Sequence, residues 1–217
     1  MSSRETMLGR IRAALADVPA EERPEDVPVP RDYRRSHAGA DVVGRFAERV
    51  ADYQATVRLV AEPELAAALG AALTERGARQ VVVPEGFRAE WLPAGPFTVL
   101  SDDPQLTTGQ LDATDAVLST AALGIAETGT LVLDGGPGQG RRALTLLPDY
   151  HLCVLRADQV VGDLPEALER LDPRRPLTFI SGPSATSDIE LDRVEGVHGP
   201  RTLDVVVVTE PGRSKEE

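Results

Sequence analysis

Cysteine is almost absent: Cys153 is the only one in 217 residues. An internal disulfide is excluded, as is any iron–sulfur cluster or zinc site that draws several thiolates from this chain. Cys153 sits in the strand-like run "YHLCVLRA", which predicts a buried, inert thiol rather than a nucleophile. Lysine is as scarce, with Lys215 of the polar tail "PGRSKEE" its single occurrence. Schiff-base chemistry and the phosphate-reaching lysine of a P-loop are thereby removed. A cationic side chain that grips a substrate anion is therefore an arginine, a group suited to planar, bidentate carboxylate or phosphate recognition. Long apolar runs are missing too, and nothing approaches the roughly 20 residues that span a bilayer. The stretch "MSSRETMLGRIRAALADV" scatters arginines where a secretory signal needs a continuous apolar core, so a cytoplasmic chain is expected. Bases are outnumbered by acids, 23 to 35, for a formal charge of −12. That balance disfavours a nucleic-acid partner and adsorption to anionic lipid.

What is present reads as one core with appendages. A 41% hydrophobic chain of this length buries a single sizeable core. Met7, Leu8, Ile11, Ala14 and Leu15 fall at helical spacing over 4–16. The segment "VPAEERPEDVPVPRDYRR" then carries four prolines and predicts an extended connector. Val42, Val43, Phe46 and Val50 suggest a helix from about 40 to 54. Beyond residue 56 strands and helices alternate: "TVRLV", a helix over 63–76 stopped by Gly77, "RQVVVP", "FTVL", short strands within "DAVLSTAALGIAETGTLVLDGG", "YHLCVLRA", a helix over 163–171, "PLTFISG" and "LDVVVVT". Near-continuous apolar strands such as Val81–Val83 and Val205–Val208 require a sheet covered on both faces. The expected architecture is a three-layer α/β/α sandwich with a mainly parallel sheet. It occupies residues 39–210, between a helical, proline-rich arm (1–38) and a polar tail (211–217).

Three glycine-rich segments follow strands: "GIAETGT" (124–130), "DGGPGQGRR" (134–142) and "SGPSATSDIE" (181–190). Open α/β sheets bind ligands in such loops. Gly135 and Gly140 have Walker spacing, but Arg141 and Arg142 replace the Lys–Ser/Thr pair, and the glycines read G-x-G-x-G rather than G-x-G-x-x-G. A nucleotide loop is rejected. An arginine-bearing, anion-friendly loop opening a helix over about 141–147 remains, beside the plainer reading of a glycine turn with solvated arginines. Glu127 is either a partly buried general base or nucleophile, or a carboxylate capping nearby N–H groups. Ser187 and Glu190 have capping-box spacing, while Asp188 and Asp192 stand one helical turn apart. His198, in "GVHGP", is either an acid/base or a loop histidine that fixes carbonyls. No Cys/His/Asp set has metal-ligand spacing.

The runs "AETGTLVL", "GPGQGRRALTLLPDYH" and "ISGPSATSDIELDRVEGVHGPRTLDVVVV" together resemble the LUD-domain family, in its lactate-utilization branch. The resemblance covers about residue 40 to Thr209. It implies a fold similar to the sugar-phosphate isomerase and CoA-transferase group. It also implies work with iron–sulfur partner proteins in oxidising L-lactate to pyruvate; this chain, with one cysteine, would be the cluster-free subunit. Clusters are thus implied only in partners, with no cofactor in this chain. Family motif positions carry over to Glu127, Thr128 and Gly129, to Gly136–Arg142, to Gly182, Pro183, Ser184, Thr186, Asp188, Ile189 and Glu190, and to His198, Gly199 and Pro200. From these, Glu127 and His198 are the catalytic candidates. Thr128, Gly129, Gly136, Gly138, Gly140, Arg141, Arg142, Ser184, Thr186, Asp188 and Glu190 are the candidates for binding a small carboxylate or other small anion, with Arg141 or Arg142 as clamp.

Three functions fit. The first is that cluster-free subunit. The second is a stand-alone enzyme on a small anionic substrate, an acyl-CoA or sugar phosphate, with Glu127 as nucleophile or base. The third is an interaction scaffold docking through residues 1–38. A homo-oligomer is compatible with each.

Overall fold

The protein is described by a computed structural model covering residues 2–19, 21–27, 29–30, 34, 36–37, 39–187, 193–195 and 199–209. The chain forms two compact units, residues 1–34 and 35–217. In the first, helix α1 (Ser3–Ala14) starts at a capping box. Ser2 Oγ accepts the Glu5 N–H, and the Glu5 carboxylate accepts the Ser2 N–H at 2.7 Å, which satisfies two orphan donors reciprocally. Met7, Ile11 and Leu15 are exposed, and α1 buries no residue.

In the second unit the alternating pattern becomes α2 (Val42–Asp52), β1 (Thr56–Ala61), α3 (Leu65–Glu75), β2 (Gln80–Val83), β3 (Thr98–Ser101), α4 (Thr108–Asp112), β4 (Ala116–Thr120), β5 (Leu123–Ile125), β6 (Thr130–Leu133), β7 (Tyr150–Arg156), β8 (Val160–Val161), α5 (Leu164–Arg170), β9 (Thr178–Ile180), β10 (Ala185–Ser187), β11 (Arg193–Glu195) and β12 (Thr202–Thr209). The main sheet has the order β1-β12-β7-β4-β2-β3, and every pairing in it is parallel.

Side-chain alternation divides the core. Along β12, Val206 and Val208 pack with Leu65, Leu69 and Leu73 of α3. Val205 and Val207 face the other way, onto Phe46 and Val50 of α2. Both faces of a β12 residue pair are therefore dry, and this is why "DVVVV" has no polar alternation. The α/β layering holds with one refinement. The α2 face is also covered by a second, mixed sheet of order β8-β5-β6-β9, through Leu131, Leu133 and Val160. Helix α5 closes the far side of that sheet with Ala167. Among the described residues no helix is long and apolar enough to cross a membrane.

Two sequence expectations are corrected. Residues 141–147 form successive turns, not a helix, closed by Leu144 N–H to Arg141 C=O and Leu147 N–H to Ala143 C=O. The stretch is bounded by Gly140, at φ +67°, and by Pro148, and the residue before a proline is disfavoured in α conformation. Ser187 ends β10, antiparallel to β11 with Ser187 opposite Arg193, so it is a strand residue and not an N-cap.

Candidate functional site

The "AETGT" segment turns between β5 and β6 beneath α2. Glu127 receives two bonds from Arg45 Nη2, at 3.2 and 3.1 Å, and lies 3.8 Å from Arg49 Nη2. Its carboxylate is thus an ion-pair partner of two α2 arginines. Gly129 has φ +58°, and a Cβ there would sit 2.6 Å from the Arg49 carbonyl carbon. Only glycine lets the turn approach α2 so closely. Thr128 shares a 2.7 Å hydroxyl bond with Thr130, which is bonded in turn to Ser181 at 2.8 Å. The motif docks α2 and ties the end of β9 to β6.

The glycine–arginine loop occupies the carboxyl rim of the main sheet. Several of its amide groups are already bonded: Gly135 N–H donates to Gln139 Oε1 and Gly136 N–H to Asp134 within the loop, and Gly138 N–H to the Glu85 carbonyl outside it. Gly138, at φ +75°, passes against Thr120, whose hydroxyl would be 2.9 Å from an added Cβ. Gly136 and Gly140 line cavities at this rim. Arg141 is bound bidentately to Asp102 at 2.8 and 2.9 Å and donates to the Leu106 carbonyl. Its hydrogen bonds hold the Asp102 carboxyl below the usual range.

Arg142 behaves differently. Among the described residues its one side-chain bond runs from Nη1 to Thr145 Oγ1 at 3.2 Å, and no acid there is its partner. Desolvation alone lowers its pKa, although the residue as a whole is exposed. The guanidinium lines a cavity of about 210 Å³ with His151, Ser181, Gly182, Ser184 and Pro200. Ser184 N–H donates to the Pro200 carbonyl at 2.8 Å, which clamps the "SGPS" and "GPRT" ends together at the cavity mouth. His151, at the start of β7, is 1% exposed. Its Nε2 lies 2.8 Å from Ser119 Oγ. Burial first, and the Arg142 charge second, push the imidazole down to about 4. It is neutral at pH 7, which leaves Arg142 the one formal charge among the described lining residues. A partly desolvated cation in a small polar cavity is chemically suited to a small anion.

The sequence profile of the LUD domain matches residues 45–208. This chain belongs to the LUD-domain family. Lactate utilization protein C of Deinococcus radiodurans is 47% identical over 206 residues, covering 93% of each chain. Lactate utilization protein C of Geobacillus kaustophilus is 32% identical over 170 residues, 68% of this chain and 70% of that one. The crystal structure of a DUF162 family protein from Deinococcus radiodurans superposes with a TM-score of 0.68 at 41% identity, covering 81% of this chain and 99% of that one.

Within this LUD domain the candidate residues separate. Arg142 and Ser184 share the small cavity, whereas Glu127 and Arg141 are not among its lining residues. Thr186 lies in β10 opposite Val194. Asp188, Glu190 and His198 lie outside the described residues, as do Asp192 and the tail. Sequence reasoning missed His151. The available signal was a histidine inside an otherwise apolar, fully buried strand, where a polar group needs a partner.

Proposed function

We propose that this chain is the cluster-free subunit of an assembly that oxidises L-lactate to pyruvate with iron–sulfur partner proteins, and that it binds the small carboxylate beside Arg142. The observation that carries the site is the guanidinium of Arg142, without an acid partner among the described residues, in a cavity of about 210 Å³, a volume suited to a three-carbon acid rather than a large cofactor. Similarity along 93% of a protein named lactate utilization protein C supports the choice of acid. Clusters do not fit this chain's own thiol. Cys153 is fully buried, burial pushes it up to about 12, and a cluster needs several thiolates. Electron transfer is therefore assigned to the partners.

In this reading the guanidinium holds the carboxylate, the Ser181–Ser184 turn and Gly199–Pro200 shape the mouth, and neutral His151 supports the cavity floor without adding charge. L-lactate or pyruvate titrated into the purified chain should give saturable binding by calorimetry. Arg142→Gln should weaken it 10- to 100-fold, the loss of one charge-assisted contact. The isolated chain should be colourless and should not reduce a dye with lactate. Robust lactate-dependent dye reduction by the chain alone, or equal carboxylate binding by the Arg142→Gln protein, overturns the proposal.

A further inference from the structure

A second cavity, of about 510 Å³, opens where β4 and β7 end and the 134–140 loop crosses the rim. This is the end of an open α/β sheet at which ligands bind. Its lining includes Arg88, Arg156, Arg170, Arg175 and Gln139, with Asp134 and Asp158 as the acids. Arg88 is matched by Glu62 and Glu90. The other three arginines use little of their donor capacity. Among the described residues Arg175 pairs with Asp134 through one bond at 2.5 Å, Arg156 with Asp158 through one at 3.2 Å, and Arg170 gives one bond to the Asp158 carbonyl at 3.3 Å. A guanidinium carries five N–H donors, so each of the three has donors beyond these bonds.

Gln139 points the same way. It is 4% exposed, and its Oε1 accepts the N–H groups of Asp134 and Gly135 at 2.7 and 3.1 Å. That acceptance orients the side chain, and its Nε2 has no acceptor among the described residues. The lining is thus rich in donors and poor in acceptors, on a chain whose net charge is −12. Such a cleft is complementary to a compact ligand with several anionic oxygens, and a monocarboxylate uses too few of the donors.

We propose that this rim cleft is a separate binding site for a small dianion, a phosphate monoester or a dicarboxylate, recognised by Arg156, Arg170, Arg175 and the amide of Gln139. Trp91, the one tryptophan of the chain, lines the same cleft with the Arg88 guanidinium 4.7 Å above its ring. The site therefore carries its own optical reporter.

The test titrates the full chain with glycerol 3-phosphate and with succinate, read by Trp91 emission and by saturation-transfer NMR of the probe, which detects binding even where the indole is silent. At least one dianion should bind saturably at millimolar concentration or below, and the stronger of the two names the headgroup. The Arg156→Gln/Arg175→Gln protein should bind at least tenfold more weakly. Arg174→Gln, which removes a neighbouring charge that is 88% exposed and paired with Asp172, should bind as the parent does. No saturable signal from either dianion, L-lactate binding in the cleft as tightly as both, or undiminished binding by a folded double variant overturns the proposal. Lactate binding at Arg142 is read by a different variant, so either site can fail without the other.

Discussion

His151 and Cys153 are neighbours in β7, and burial acts on them in opposite directions. Desolvation disfavours the charged form of each, so the imidazole resists protonation and the thiol resists ionisation. For His151 the unfolded chain takes up a proton near pH 6.5, the folded protein only near 4. Between those values the unfolded state binds more protons, so stability falls as pH drops through the window. At roughly 1.4 kcal/mol per tenfold change, the loss is about 3 kcal/mol. His151→Asn should flatten that acid slope in urea unfolding measured at pH 7.5 and 4.5. Parallel curves for parent and variant would show that another group is responsible. Cys153 makes a complementary forecast. With the thiol held up to about 12, the native protein should not react with a thiol reagent at pH 8, and labelling should begin only once urea opens the sheet.

At the scale of elements, the glycine motifs turn out to be seams between segments. "AETGT" reads in sequence as a candidate catalytic turn. Its glycine lies against the α2 backbone and its glutamate is held by two α2 arginines. Gly129→Ala must force a left-handed residue and a 2.6 Å contact with backbone, and should cost about 2–4 kcal/mol. Gly109→Ala, in α4 with open space around the added methyl, should instead stabilise slightly, by about 0.5–1 kcal/mol. Thermal unfolding of both proteins checks the pair; equal effects would mean that the Gly129 contact is not tight. The main-sheet strands were legible from their apolar runs and α2, α3 and α5 from helical patterning, whereas the short α4, β8, β10 and β11 carried no comparable signal. The false helix at 141–147 arose because "RRALTLL" has helical composition but is confined by Gly140 and Pro148. The capping spacing at Ser187 misled for a related reason: pairing with β11 outweighed a local preference.

Across the whole molecule, position in the sheet decides which valines matter. The last described strand, β12, lies between β1 and β7, while β3 is an edge. Val207 is 0% exposed and Val99 is 44% exposed. Val207→Ala should therefore cost about 2 kcal/mol by lost burial and the cavity left behind, and Val99→Ala less than about 0.5. Denaturant midpoints at constant m would measure both, and comparable losses would contradict this strand order.

Sequence by itself determined the alternating α/β plan, the doubly covered sheet, the single isolated thiol and the reliance on arginine for any anion, because periodicity, composition and the lack of lysine are local properties. Which arginine is available was decided only in three dimensions. Arg141 and Arg142 are adjacent in the chain, yet Asp102 lies within reach of the first and no described acid lies within reach of the second. The same holds for His151 beneath Arg142 and for the arginines of the rim cleft, drawn from segments as far apart as residues 88 and 175. Electrostatic partnership depends on distance and desolvation, and chain spacing reports neither once strands cross over.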